Sequence, residues 1–198
     1  MTRATTEEIR REVRRKYAEA ARSMAGRFNY ATGSAGATAL GYPSSVLSDL
    51  PADILGTFCG VGNPLALGPV HAGEKVLDVG CGAGLDTILA SQLVGPSGSV
   101  CGIDLTPEMV DKARANLARA GASNASAAVA VSEAIPYDDD TFDVVISNGV
   151  LNLSPSKEQS LREIFRVLKP AGRLQFADVI LNEDLPQDVA NSLDAWSD

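Results

Sequence analysis

Cysteine is scarce in this 198-residue chain, and its three copies are poorly spaced for chemistry. Cys59, Cys81 and Cys101 are odd in number, and no two form a CxxC pair. A disulfide framework is therefore disfavoured, a reducing cytosol fits better, and no metal is implied. Basic charge is also in deficit. Seventeen Lys and Arg against twenty-five Asp and Glu give a net charge of −8. Phosphate backbones are bound by clustered Lys and Arg, so no nucleic-acid partner is expected. No apolar run reaches membrane-spanning length, and the N-terminus mixes Glu7, Glu8 and Glu12 with its arginines, unlike a signal or transit peptide. The expectation is a soluble, cytoplasmic chain with a small-molecule partner and no membrane. Oligomeric state is left open. With 45% hydrophobic residues, the chain has enough apolar material for one globular core.

The pattern of what is present changes along the chain. In TTEEIRREVRRKYAEAARSM, Ile9, Val13, Tyr17 and Ala20 or Ala21 fall near one helical face, and Thr5 with Glu8 resembles a capping box. This predicts an amphipathic helix over about residues 6 to 24. Interleaved glutamates make its basic residues, Arg10 to Lys16, read as a solvated face. Residues 25 to 74 are broken by GRFNYATGSAG, GYPSS, DLPAD and CGVGNP, with one short helix fitting around Pro43 to Leu50. A segment this irregular reads as a functional lid or a flexible region.

From Lys75, strands and helices alternate: KVLDVG, then GLDTILASQLV; SVCGIDL, then TPEMVDKARANLARAG; ASAAVAV and FDVVISN; then SKEQSLREIFRVLKPAG and GRLQFADVI. The second helix has Thr106 as N-cap, Pro107 at its first position and Gly121 after its end. The third is expected to stop at Pro170-Ala171-Gly172, and LPQDVANSLDAW starts another helix. Alternation of this kind predicts an α/β fold, a doubly wound parallel sheet with right-handed crossovers and helices on both faces. Residues 1–74 form an N-terminal helix and irregular cap segment before an α/β domain over 75–198.

Ligands of open parallel sheets bind beyond the carboxyl ends of the strands, where strand order reverses. The stretch VLDVGCGAGLD supplies a turn of that kind, with Gly80, Gly82 and Gly84 after a buried strand and Asp78 ahead of them. Glycines there permit positive φ and close backbone approach to a ligand. A dinucleotide fingerprint, GxGxxG, would need glycine at 85, which is Leu85. Asp104 closes the second strand, where an acid can accept hydrogen bonds from both hydroxyls of a ribose. Together these features point to a nucleoside.

At these residues the chain resembles the class I S-adenosylmethionine-dependent methyltransferases. VLDVGCGAGLD, GIDLTPEMVDKA, AIPYDDDTFDVVISN and RVLKPAGRL resemble successive motifs of that superfamily, over residues 75 to about 180. Within it, GSAGATALGYPSSVLSDLP, GVGNPLALG, DLTPEMV and ISNGVLNLSPSKEQSLREIFRVLKP are similar to the arsenite methyltransferases, over residues 33 to 198. The resemblance implies a Rossmann-like sheet and S-adenosyl-L-methionine as cofactor. It implies that Gly80, Cys81 and Gly82 run along the methionine part, with Asp78 near its amino group and Gly84 also in the cofactor-binding turn. Asp104 would hold the ribose, Leu105 the adenine face and Glu133 the adenine edge. Asn148 would face the methionine end, and Tyr30 would reach the cofactor from the N-terminal extension.

Several positions depart from the family. Its arsenic-binding cysteines would fall at Thr32, at Gly149 and beyond Trp196, and this chain ends at Asp198. An acid is common two residues before Glu133, where Val131 stands. The superfamily sheet has two more strands than the five read here. Tyr42, Asn152 and Cys59 are the candidates for the acceptor pocket, and no catalytic residue is assigned. His71, the single histidine, is a weak candidate for a base, and Asp138, Asp139 and Asp140 read as a solvated turn rather than a metal cluster. The expected activity is methyl transfer to arsenite or another small soft acceptor. The alternatives are a cofactor-binding protein without efficient turnover and a small-molecule methyltransferase unrelated to arsenic. A dinucleotide oxidoreductase is disfavoured by Leu85.

Overall fold

A computed structural model describes residues 4–24 and 26–180, so the helix expected from LPQDVANSLDAW lies outside the described residues. Helix α1 spans Thr6–Arg22 and starts on the capping box, with Glu8 N donating to Thr5 Oγ1 at 3.3 Å and Thr5 N to Glu8 Oε2 at 2.8 Å. Its apolar face buries Ile9, Val13, Ala20 and Ala21.

The segment expected to be irregular contains three short helices, α2 (Gly33–Ala39), α3 (Ser44–Ser48), which falls within the one helix expected around Pro43 to Leu50, and α4 (Ala52–Leu55), and a 3₁₀ turn at Pro64–Ala66. Ala37, Tyr42, Leu47, Ile54 and Phe58 from this segment share one buried cluster with Leu85, Ile88, Val110 and Leu117. It is part of the core. Helices of four to seven residues complete at most two turns, too few for a 3.6-residue period to stand out.

Five strands follow: β1 (Lys75–Val79), β2 (Ser99–Asp104), β3 (Ala125–Val129), β4 (Phe142–Asn148) and β5 (Leu168–Ala177). All pair in parallel, in the order β3-β2-β1-β4-β5. Alternate residues face opposite sides, as the pleat requires. Leu77, Val79, Ile103 and Val145 pack with Ile164 and Val167, whereas Val76, Val100, Val144 and Ile146 pack with Ala90 and Val94. The first set meets α7 (Lys157–Val167) and the second meets α5 (Leu85–Val94). Helix α6 (Pro107–Arg119) completes the α5 side and carries α1, through Met109 against Ala20 and Ala21 and through Lys112 Nζ donating to Ala21 O at 2.6 Å.

One boundary differs from expectation. Helix α7 ends at Val167, and β5 begins at Leu168, ahead of the Pro170-Ala171-Gly172 turn. The turn is a bulge inside the strand: Leu168 pairs with Phe142, the register then shifts, and Arg173 pairs with Val144. Ala171 sits at φ +65° within it. Among the described residues β5 is an outer strand of the sheet.

Candidate functional site

The strand order reverses beside β1, whose neighbours are β2 and β4. A cleft opens at the carboxyl ends of these three strands, lined also by α1 and by residues 57–60. Its floor is the glycine turn. Gly80 N and Cys81 N both donate to Ile103 O, at 2.7 and 2.9 Å, which ties the turn to β2. Gly80 adopts φ +75°, and a Cβ there would run into the Val150 side chain. Gly82 adopts φ +50°, and a Cβ there would meet nothing within 4 Å. The backbone at Gly82 is bare toward open space, as a close-lying ligand needs. Gly84, at φ +92°, has a different task. It starts α5 and lets that helix approach Ala113 of α6, whose Cβ would be 3.3 Å from an added Cβ.

Four carboxyl groups line the cleft, Asp78, Asp86, Asp104 and Glu133, against one cationic side chain, Arg10. Asp104 accepts Gly82 N at 2.9 Å and Thr106 N at 2.8 Å, one on each oxygen, so its orientation is fixed while further lone pairs stay free. Asp78 is buried and accepts Thr87 Oγ1 at 2.6 Å. Burial, and then the charge of Asp86, push its pKa up to about 8. Asp86 is buried too and accepts Tyr42 Oη at 2.5 Å and Asn148 Nδ2 at 3.0 Å, and burial raises its pKa as well. Glu133 accepts Ser154 Oγ at 2.9 Å and lies 3.5 Å from Arg10 Nη2. Acids with hydroxyl and amide partners, and among the described residues no cation beside three of them, suit a ligand that brings positive charge.

Of the residues singled out in the sequence, the cleft brings together Asp78, Gly80, Cys81, Gly82, Asp104, Leu105, Glu133, Asn148 and Cys59. Four are outside its lining: Gly84, Tyr30, Tyr42 and Asn152. Tyr30 is 37% exposed, and its hydroxyl donates to Cys59 O at 2.9 Å. Tyr42 is buried behind Asp86. Asn152 has its backbone N bound to Asp178 at 3.1 Å. Asn148 lines the cleft but commits its amide to the protein. Its Oδ1 accepts Val61 N at 2.8 Å and Gly62 N at 3.0 Å, and its Nδ2 is shared among Gly62 O, Asp86 and Tyr42.

The lining also holds Asp86 and Arg10, which the sequence reading did not assign. Asp86 had a signal, as the acid closing the glycine stretch. Arg10 had none, because its rotation toward the cleft depends on how α1 docks. Cys59 is held up to about 12 by burial and the charges of Asp104 and Asp86, so it is a protonated thiol at neutral pH. Asp139, read as part of a turn, pairs with Arg166 at 2.8 Å. No helix among the described residues is long and apolar enough to cross a membrane.

The profile of a methyltransferase domain family matches residues 70–197. The arsenite methyltransferase of Halobacterium salinarum is 42% identical over 158 residues, 80% of this chain and 40% of its own. A ubiquinone/menaquinone biosynthesis C-methyltransferase of Pasteurella multocida is 43% identical over 118 residues, 57% of this chain and 44% of its own. The crystal structure of an arsenic(III) S-adenosylmethionine methyltransferase from Chlamydomonas reinhardtii superposes with a TM-score of 0.67 at 39% identity, over 74% of this chain and 51% of that one. The chain thus spans about 40% of the length of the arsenite methyltransferase from Halobacterium.

Proposed function

The chain belongs to the methyltransferase domain family, and from that premise we propose that it transfers a methyl group from S-adenosylmethionine to a small acceptor. The observation that carries the reading is the charge of the cleft, four carboxyl groups against one guanidinium at the reversal point of a parallel sheet. When bound, the cofactor supplies a sulfonium methyl open to in-line displacement, and it carries an ammonium as a second cationic centre. Three features fit it: the acids without cations, the open space over Gly82, and a buried Arg10 Nε with no partner.

In this reading Asp78 pairs with the ammonium and Asp104 accepts from the ribose hydroxyls. Leu105 packs on the adenine, Glu133 takes its edge, and the Gly80–Gly82 backbone runs along the methionine arm. Asp86 holds no ligand atom but sets the field at the reacting end, together with Asp78. Methyl transfer from a sulfonium neutralises charge, so positioning and a preorganised field account for most of the acceleration and no acid–base triad is required.

The acceptor is a small molecule. One observation favours an acceptor other than arsenite. Gly149, where the family resemblance calls for a thiol, sits at φ +71°, and an added Cβ would lie 3.2 Å from Val61. Isothermal titration with S-adenosylmethionine and with NAD tests the donor: binding of the first alone is expected, and binding of NAD alone would end the reading. Mass spectrometry of products from arsenite plus a thiol, against a panel of small carbon, oxygen and nitrogen nucleophiles, tests the acceptor. Arsenite turning over faster than every other acceptor would overturn that part.

A further inference from the structure

Val131 occupies the position where the family resemblance calls for an acid on the adenine amino group. It lines the cleft and forms a short antiparallel bridge with Ala134, which turns Ser132 and Glu133 toward the opening. Facing them is Arg10 of α1, from the far end of the chain. The contact between the two charged groups is open. Nη2 and Oε2 are 3.5 Å apart, well beyond the roughly 2.7–2.9 Å of a closed charge-assisted hydrogen bond. Among the described residues, Arg10 Nε is buried with no hydrogen-bond partner, and Glu133 Oε2 has, besides Arg10, only a long contact of 3.4 Å to Ser132 Oγ. Glu133 Oε1 is occupied by Ser154 Oγ at 2.9 Å, which fixes the carboxylate. Its side chain is 8% exposed and that of Arg10 27%.

A donor with nothing to donate to and an acceptor with spare capacity therefore stand side by side on the wall of one cleft. An unpaired buried N–H is destabilising unless a ligand meets it. Adenine offers the complementary pair, a ring nitrogen that accepts beside a 6-amino group that donates. Hypoxanthine has an oxo group at position 6, and a carboxylate facing it would meet a second acceptor. We propose that Arg10 and Glu133 together read the edge of the cofactor's adenine, Arg10 donating to a ring nitrogen and Glu133 accepting from the 6-amino group. The pair replaces the missing acid at Val131. It also makes α1 a part of the nucleoside pocket instead of a solvated extension, and it rests on the reading of S-adenosylmethionine as donor.

Titration calorimetry on the full chain tests the pair, using S-adenosylmethionine, 5′-methylthioadenosine and 5′-methylthioinosine with wild type, Arg10→Met and Glu133→Gln. Thermal melts establish that each variant is folded. Wild type is expected to prefer the adenine ligand to its hypoxanthine counterpart by at least tenfold, because a site built for one polar edge rejects the other. Arg10→Met keeps the aliphatic stem and removes the donors, and should weaken both adenosine ligands by roughly tenfold, the usual loss for one charged hydrogen bond. Glu133→Gln gives position 133 a donor, and should narrow the adenine-to-hypoxanthine ratio by raising affinity for the inosine ligand. An unchanged ratio in Glu133→Gln would overturn the proposal. So would a loss in Arg10→Met confined to S-adenosylmethionine, because 5′-methylthioadenosine lacks the carboxylate that Arg10 would then be holding. Failure of wild type to bind S-adenosylmethionine would instead remove the donor reading beneath it.

Discussion

Burial and the neighbouring Asp86 hold Asp78 at a pKa of about 8, far above its value of about 3.9 in an unfolded chain. Between these two values the folded chain keeps a proton that the unfolded chain has lost. Folding stability contributed by Asp78 is therefore greatest below pH ~4, falls as pH rises toward ~8, and is level above that. A cationic ligand beside Asp78 favours the ionised form and so must release the proton to bind at lower pH. Affinity for S-adenosylmethionine should rise from pH 6 toward 8 by up to about tenfold per pH unit, as one linked proton requires. Affinity for the neutral 5′-methylthioadenosine should change much less, and Asp78→Asn should remove most of the slope. Titrations in buffers of differing ionisation heat measure the proton directly; a flat profile for S-adenosylmethionine would exclude Asp78 as the ammonium partner. Residues of this kind differ in how far the sequence discloses them. Asp78, Gly80, Gly82 and Asp104 stand at the ends of adjacent parallel strands, so spacing alone brings them together. Arg10 and the Asp86–Tyr42 pair join segments remote in sequence, and no local pattern encodes that meeting.

Strand β4 shows what an element can do beyond placing a side chain in a cleft. Its last residue, Asn148, takes two backbone N–H groups of the loop at 61–62 and gives its amide hydrogens to Gly62 O and Asp86. The loop can lie that close only because its glycines are bare: a Cβ on Gly60 would strike the Asn148 amide, and one on Gly62 would strike Ala177 of β5. The punctuation in CGVGNP is thus a packing requirement. Asn148→Ala would strip Val61 N and Gly62 N of their acceptor and leave the buried Asp86 with Tyr42 as its remaining side-chain partner. We expect a loss of about 2–4 kcal/mol, in the range for a broken buried network. Hydrogen exchange should quicken at residues 60–63 while β1 and β2 keep their protection. A loss below about 1 kcal/mol with unchanged exchange in the loop would show that the clamp does not hold it. Elements of this chain were legible where they carried a complete local pattern. FDVVISN is β4 residue for residue, α1 starts on its capping box, and α6 starts after Thr106, whose side chain makes no cap hydrogen bond, with a full apolar face behind it. Helix α3 falls inside the short helix expected around Pro43 to Leu50, whereas α2 and α4 had no such signal; all three share a buried cluster with α5 and α6.

At the scale of the whole molecule, parallel strands in the order β3-β2-β1-β4-β5 follow from the alternation of elements and from right-handed crossovers, which leave few arrangements. The position of α1 does not follow from those rules, since a helix ahead of the first strand can dock on several faces. Here it packs on α6 through Ala20, Ala21 and Met109 and lines the cleft, where Arg10 meets Glu133, the carboxylate that also accepts Ser154 Oγ. A ligand in that cleft would touch the N-terminal helix, the glycine turn and the segment after β4 at once. Binding to the folded state alone stabilises it by about 2.7 kcal/mol at a ligand concentration one hundred times Kd. For a chain of this size that corresponds to a rise in Tm of roughly 5–10 °C. The distribution of the gain is the sharper test. Hydrogen exchange with saturating S-adenosylmethionine should slow in α1 as well as in residues 78–86 and 151–155, because the helix loses its freedom to lift away once its cleft side is in contact. Slowed exchange at the turn with α1 unaffected would mean that the N-terminal helix only shields the core on α6 and takes no part in holding the nucleoside.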